Sequence, residues 1–183
     1  VVVAFADTLF KADFKLEKNS DGIIWVNKID DPSSFGVVKV NEKKIITDFV
    51  EKPEFFVSDL AIIGIYYFKS GENLNKELQY LIDNDIKDKG EYQLTNALEN
   101  MKNKGLKFTT GEVAEWLDCG NKDATVYTCE RVLDHNKNTE MIADDSQMIN
   151  SKIIEPCYIG SGTKIENSII GPNVSIGNNT IIL

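Results

Sequence analysis

Apolar residues follow strand and helix rhythms up to about Asn138 and a different, shorter repeat beyond it. Val1-Val2-Val3-Ala4-Phe5 is a continuous apolar run, the pattern of a strand covered on both faces, and Leu60 to Phe68 is another apolar, β-rich run. The first is expected to be a central parallel strand ending at Ala6-Asp7-Thr8. Ile23 to Ile29, after the Asp21-Gly22 turn, predicts a second strand rich in β-branched and aromatic side chains. Gly36 to Val40 and Lys44 to Val50 flank Asn41-Glu42 and read as a hairpin. The strand is then broken at Glu51-Lys52-Pro53, because proline lacks a donor and pushes Lys52 towards an extended conformation.

Leu74, Leu78, Leu81 and Ile82 recur at helical spacing, and Leu94, Ala97, Leu98 and Met101 repeat it after Gly90-Glu91-Tyr92. Lys107 to Thr110 and Val113 to Leu117 predict strands, the latter ending at Asp118-Cys119-Gly120. Asp123 could cap a following helix in which Val126, Cys129, Val132 and Leu133 share a face. Alternating strands and helices predict an α/β domain over residues 1–138, a mainly parallel mixed sheet with flanking helices. Residues 139–183 carry the new rhythm. Isoleucines stand at 153, 159 and 165 and again at 170, 176 and 182, a period of six with one residue deleted between the sets. That period predicts the start of a short left-handed parallel β-helix with the isoleucines stacked inside.

Charge narrows the function. Twenty basic residues against 29 acidic give a net charge of −9, so the surface repels nucleic acid and anionic membranes, and neither is an expected partner. A polyanionic substrate then needs a locally basic pocket or a metal ion. Cys119, Cys129 and Cys157 are odd in number and far apart, which indicates neither a disulfide framework nor a zinc site and fits a reducing cytoplasm. No apolar run approaches the length of a membrane span. The chain opens on an apolar strand without an initiator Met, and a strand buried on both faces needs neighbours, so the sequence is expected to be a fragment.

Asp7 and Asp118 each follow an apolar strand. In an open parallel sheet such loops converge on one crevice, and two carboxylates with phosphate oxygens and water suit Mg²⁺. Each Asp alone equally reads as a turn or cap residue.

Phe5-Ala6-Asp7, Ser34-Phe35-Gly36-Val37, Val50-Glu51-Lys52-Pro53, Ile63-Gly64-Ile65-Tyr66, Gly90-Glu91-Tyr92-Gln93-Leu94-Thr95 and Trp116-Leu117-Asp118-Cys119-Gly120 occur in that order. Together they resemble the sugar-phosphate nucleotidyltransferases, particularly the glucose-1-phosphate thymidylyltransferase type with a hexapeptide tail. The resemblance implies condensation of a nucleoside triphosphate with a sugar 1-phosphate, with glucose 1-phosphate and dTTP favoured. Mannose 1-phosphate with GTP and N-acetylglucosamine 1-phosphate with UTP are the alternatives. It implies that Asp7 and Asp118 hold Mg²⁺ and that Lys52 binds the sugar phosphate. Glu51 and Glu91 would take sugar hydroxyls, Gly36 would let backbone approach the sugar, and Gly64 and Trp116 complete the substrate-binding set. Read singly, Glu51 and Lys52 also fit a solvated loop pair, Gly36 a turn, Glu91 a first-turn helix residue and Trp116 a packing residue.

Two departures from the family pattern stand out. Ala6-Asp7 replaces the usual Gly-Asp, and no glycine-rich loop followed by Thr-Arg, the element that cradles the triphosphate, occurs in the sequence. The 183 residues alone are therefore expected to be inactive. The full-length protein is expected to be a homo-oligomer. Hexapeptide coils also build acyltransferases that use histidine, but the single histidine, His135, precedes the repeats, so the tail reads as structural.

Overall fold

The computed structural model describes residues 1–12 and 20–183. Two compact units, 1–116 and 117–183, divide the chain. The division by packing thus falls earlier than the change of sequence texture at 138.

The first unit contains β1 (Val2–Ala4), β2 (Thr8–Lys11), β3 (Gly22–Lys28), β4 (Val37–Val40), β5 (Ile46–Val50), β6 (Leu60–Phe68), α1 (Gly71–Asp83), α2 (Leu94–Asn103) and β7 (Phe108–Glu112). The main sheet runs β5-β4-β6-β3-β7, with β1 added to β6. Ladders β4–β5, β4–β6, β3–β6 and β1–β6 are antiparallel and only β3–β7 is parallel. The expected mainly parallel sheet is therefore corrected to a mixed, mostly antiparallel one.

The reason lies in what an apolar run reports. On β3 and β6 side chains alternate between two cores: Ile24, Val26, Ile62, Tyr66 and Phe68 join Leu74, Leu98 and Met101 of the helices, while Ile23, Trp25, Ile63 and Ile65 form a second cluster on the other face. Both faces are covered, so no polar alternation survives, whichever way the neighbours run. Continuous hydrophobicity encodes burial and leaves direction open.

The Val1 to Phe5 reading changes more. Val2–Ala4 pairs antiparallel with Ile65–Tyr67, and Val1, Val2 and Phe5 remain 60%, 66% and 45% exposed. It is not a central parallel strand within these residues. Its register depends on Gly64, which has φ +79 and whose absent side chain leaves the space that Phe5 fills, an added Cβ standing 3.0 Å from Phe5 Cδ2. The Phe5 N–H donates to Gly64 O at 2.9 Å.

Helix α1 starts at Ser70, whose hydroxyl accepts from the Asn73 N–H at 3.2 Å. It packs on α2, and Lys104 at the end of α2 reaches the buried carboxylate of Glu77. The hairpin expected around Asn41-Glu42 is present as β4 and β5.

Strand β8 (Glu115–Asp118) leads into the second unit, which holds α3 (Lys122–Asn136) and the short strands β9 (Gln147–Ile149), β10 (Lys152–Ile153), β11 (Cys157–Ile159), β12 (Lys164–Glu166), β13 (Ile169–Ile170), β14 (Val174–Ile176) and β15 (Ile181–Ile182). Asn121, not Asp123, caps α3, accepting from the Ala124 N–H at 2.9 Å. Asp123 sits in the first turn, where its charge suits the helix dipole. The buried face also differs from expectation. Thr128 and Leu133 are buried while Val126 is 70% exposed, because the Thr128 hydroxyl donates to Asp118 O at 2.7 Å and turns that side inward.

Beyond α3 the strands stack in parallel at a separation of 17 residues: Gln147 pairs with Lys164 and Lys164 with Ile181, while Asn150 Nδ2 donates to Asn167 Oδ1 at the same spacing. Asn150 and Asn167 both have positive φ, a conformation asparagine tolerates, and so turn matching corners. Ile159, Ile165 and Ile176 form the buried centre, with Ile153, Ile170 and Ile182 packed against it. All of the isoleucines expected to point inward do so. Among the described residues no helix is long and apolar enough to cross a membrane.

Candidate functional site

The break after β5 brings distant segments together. Glu51 leaves the end of β5, and its Oε2 accepts from Thr95 Oγ1 at 2.8 Å in the first turn of α2. Gly36, just before β4, lies directly beside the pair: a Cβ there would stand 2.9 Å from Glu51 Oε2 and 3.0 Å from Thr95 Cγ2. A side chain at 36 would occupy the space that the Glu51 carboxylate and the Thr95 methyl now use.

Backbone bonds fix this corner. The Lys52 N–H donates to Phe35 O at 3.1 Å, and the Ile62 N–H donates to Gly36 O at 2.8 Å. Lys52 holds φ 36, a left-handed conformation unfavourable for a long side chain, so the expected extended geometry before Pro53 is corrected. The bond to Phe35 and the burial of Pro53 hold it there. The Lys52 side chain is exposed to solvent. A second cation that sequence reasoning missed stands alongside: Lys89 Nζ donates to Lys52 O at 3.5 Å.

Lys89 and Gly90, with φ 50 and 88, form the tight turn that carries Glu91. Asp88 and Glu91 exchange backbone bonds of 2.9 and 3.0 Å across it, and Gln93 Nε2 donates to Glu91 Oε2 at 3.3 Å. Glu91 is exposed and precedes α2 instead of lying in its first turn. The signal for Lys89 was its place immediately before Gly90-Glu91, inside a stretch already singled out.

Tyr66 is also part of this neighbourhood. Its phenol is buried and is pushed up from its ordinary pKa, first by burial and then by the negative charge of Glu51. It stays protonated and can donate. Its ring lies 5.5 Å from that of Phe5, which directly follows β1. Trp116 packs edge-on against Phe35 with ring centroids 5.3 Å apart, as a packing residue should, yet its indole N–H is buried with no hydrogen-bond partner among the described residues. Such a donor is suited to a ligand hydroxyl. Gly64 spends its missing side chain on Phe5, as described above.

The acidic residues expected to hold a metal fall in different units. Asp7 is exposed on the turn between β1 and β2, followed by Thr8, whose hydroxyl donates to Ile63 O at 3.2 Å. Asp118, in the second unit, accepts the Gly120 N–H on Oδ1 at 3.0 Å, which leaves Oδ2 as a hard oxygen donor.

The chain is similar to known proteins in sequence and in fold. The sequence model of the nucleotidyl transferase family matches residues 3–135. A glucose-1-phosphate thymidylyltransferase of Streptomyces antibioticus is 26% identical over 171 residues, covering 85% of this chain and 47% of that enzyme. A glucose-1-phosphate adenylyltransferase of Fusobacterium nucleatum is 29% identical over 183 residues, covering 93% of this chain and 46% of the enzyme. The chain therefore spans about half the length of the curated relatives it matches. A nucleoside-diphosphate-sugar pyrophosphorylase from Vibrio cholerae shares the fold with a TM-score of 0.59 at 20% identity, over 69% of this chain and 54% of that one. A putative glucose-1-phosphate thymidylyltransferase from Bacillus anthracis, solved with sucrose, gives 0.54 at 24% identity, over 69% of this chain and 52% of that one.

Proposed function

Since this chain belongs to the nucleotidyl transferase family, we propose that it carries the sugar 1-phosphate side of a sugar-nucleotide-forming enzyme. The observation that carries the reading is the corner where Gly36, Glu51 and Thr95 meet, with Lys52 and Lys89 adjoining. Carboxylates accept from sugar hydroxyls, and ammonium groups hold a phosphate, so the two halves of the ligand find opposite charges side by side.

In this reading Glu51 and Glu91 take hydroxyls, Gly36 leaves the space that the Glu51 carboxylate needs, and the Trp116 indole and Tyr66 phenol supply further donors. Lys52 and Lys89 balance the sugar phosphate and orient one of its oxygens. That oxygen forms a bond to the α-phosphorus of a nucleoside triphosphate as the bond to the β-phosphate oxygen breaks and pyrophosphate leaves. Positioning and charge neutralisation carry such a step, and no protein nucleophile is needed. Asp7 in the first unit and Asp118 in the second each offer the hard carboxylate oxygens that suit Mg²⁺, and each would serve as a ligand to it. When bound, Mg²⁺ offsets charge building on the phosphates.

Glucose 1-phosphate is the favoured acceptor, because relatives named for both thymidylyl and adenylyl transfer share it. The base is then thymine first and adenine second. For the stacked strands we favour a left-handed parallel β-helix with a structural role, supported by their spacing of 17 residues and their isoleucine centre. Acyl transfer gains no support, since His135 lies in the last turn of α3 and not between coils.

The test is calorimetric titration of the chain with glucose 1-phosphate. Lys52→Met and Lys89→Met should each weaken binding by about tenfold, the lower end for a charge-assisted contact at an exposed site. Binding of glucose alone should change little in either variant. Unchanged affinity for glucose 1-phosphate in both variants would remove the phosphate from this corner.

A further inference from the structure

Two phenylalanines stand in solvent next to each other. Phe55 is 83% and Phe56 74% exposed, on the loop that continues from Lys52-Pro53. Isolated exposed apolar residues are ordinary, but an adjacent aromatic pair lining a concave site is not. With Pro32 and Pro53 they line a cleft of about 280 Å³. Its rim is acidic. Asp30, Asp31 and Glu54 stand on it, and Ser33, through its hydroxyl and its backbone N–H at 3.0 Å, holds the Asp31 carboxyl below the usual carboxylate range.

The dimensions and chemistry select among occupants. At about 280 Å³ the cleft stands at the lower edge of the roughly 300–1,000 Å³ usual for small-molecule sites, room enough for one side chain presented by a partner. Phosphorylated substrates and nucleotides are repelled by three carboxylates. A lysine or arginine fits on both counts: its alkyl stem packs on the phenyl and proline surfaces, and its charge lies over a ring face and beside the carboxylates.

We propose that the cleft between Asp30–Ser33 and Pro53–Phe56 is a docking site for a protein partner that inserts a lysine or arginine side chain flanked by apolar residues. The contact is small and belongs with transient interfaces. Its anchor is the Phe55–Phe56 pair, and the carboxylates set the sign of the partner's charge.

The experiment is calorimetric titration of the chain with a hexapeptide alternating arginine and leucine. Its counterpart with glutamate in place of arginine and the linear polyamine spermine serve as comparisons. The arginine peptide should bind, should weaken as salt is raised, and should lose about tenfold in affinity in the double variant Phe55→Ser/Phe56→Ser and again in Asp30→Asn/Glu54→Gln. The positions substituted are on the surface, and circular dichroism verifies that each variant is folded. Absence of binding by the arginine peptide, or equal binding to wild type and both variants, overturns the proposal. Equal binding by the glutamate peptide does so too. Spermine binding that matches the arginine peptide and ignores the loss of both phenylalanines would reduce the cleft to bare charge. Co-sedimentation with neutral phosphatidylcholine vesicles that requires the phenylalanines would assign it to lipid instead.

Discussion

Replacing Ile165 by Asp is expected to unfold the stacked strands of residues 142–182 while the sheet of the first unit stays folded. Ile165 is fully buried, and β12 pairs on both sides, placing Ile165 opposite Met148 and Ile182. Loss of the apolar side chain removes about 1.5–3 kcal/mol of burial. The carboxylate then either remains charged in an apolar centre or takes up a proton, and both cost several kcal/mol more. A stack centred on Ile159, Ile165 and Ile176 has few other contacts to absorb that loss, because each coil is stabilised mainly by its neighbours. The first unit has separate cores around β3 and β6. Amide hydrogen exchange reads both outcomes at once: protection should vanish in β11, β12 and β14 and persist in β3 and β6. Ile169→Asp, at a position 71% exposed, is the control and should leave protection intact. Loss of protection in β3 and β6 on Ile165→Asp would show that the units share their stability.

The second large effect is catalytic. Given Mg²⁺, dTTP or ATP and glucose 1-phosphate, the 183-residue chain should release no pyrophosphate above the uncatalysed background. The sequence contains residues suited to a sugar phosphate and a metal but no glycine-rich loop followed by Thr-Arg, the kind that orients a triphosphate with backbone N–H groups and basic side chains; its nearest likeness, Gly160-Ser161-Gly162-Thr163-Lys164, is the turn from β11 into β12. Positioning of reacting groups can account for about 7–11 kcal/mol of a barrier, so its absence should suppress turnover almost completely. Coupled pyrophosphate detection, with the Streptomyces antibioticus enzyme run alongside, provides the measurement. Clear turnover by the chain would place a nucleotide site among residues assigned here to the sugar or to packing.

What could be read from the sequence was local. Strand β6 emerged with its observed limits, and the hairpin of β4 and β5 followed from its turn, because hydrophobic runs and turn chemistry are properties of neighbours along the chain. The isoleucine repeat was legible for the same reason: one short period, copied from coil to coil, fixes which residues face inward. Strand direction was not legible. An antiparallel strand covered on both faces writes the same apolar run as a parallel one, which misassigned the sheet and Val1 to Phe5.

The candidate site shows the same limit. Glu51, Lys52, Gly36 and Glu91 were visible through ordered motifs, whereas the Thr95–Glu51 bond spans 44 positions and the approach of Lys89 to Lys52 spans 37. Tyr66 lay within a quoted motif, yet only its burial next to Glu51 gives it a role in the site. On α3, a hydroxyl bond to Asp118 O outweighed the apolar spacing that had favoured Val126.

The most direct test of the sugar-phosphate assignment is amide chemical-shift mapping of the labelled chain during titration with glucose 1-phosphate. Shifts should concentrate at Phe35 to Val37, Glu51 and Lys52, and Lys89 to Thr95, and should be reduced in Gly36→Val, whose side chain would displace the Glu51 carboxylate. Shifts that leave these segments unmoved while saturating elsewhere, with Gly36→Val binding as well as wild type, would contradict the assignment.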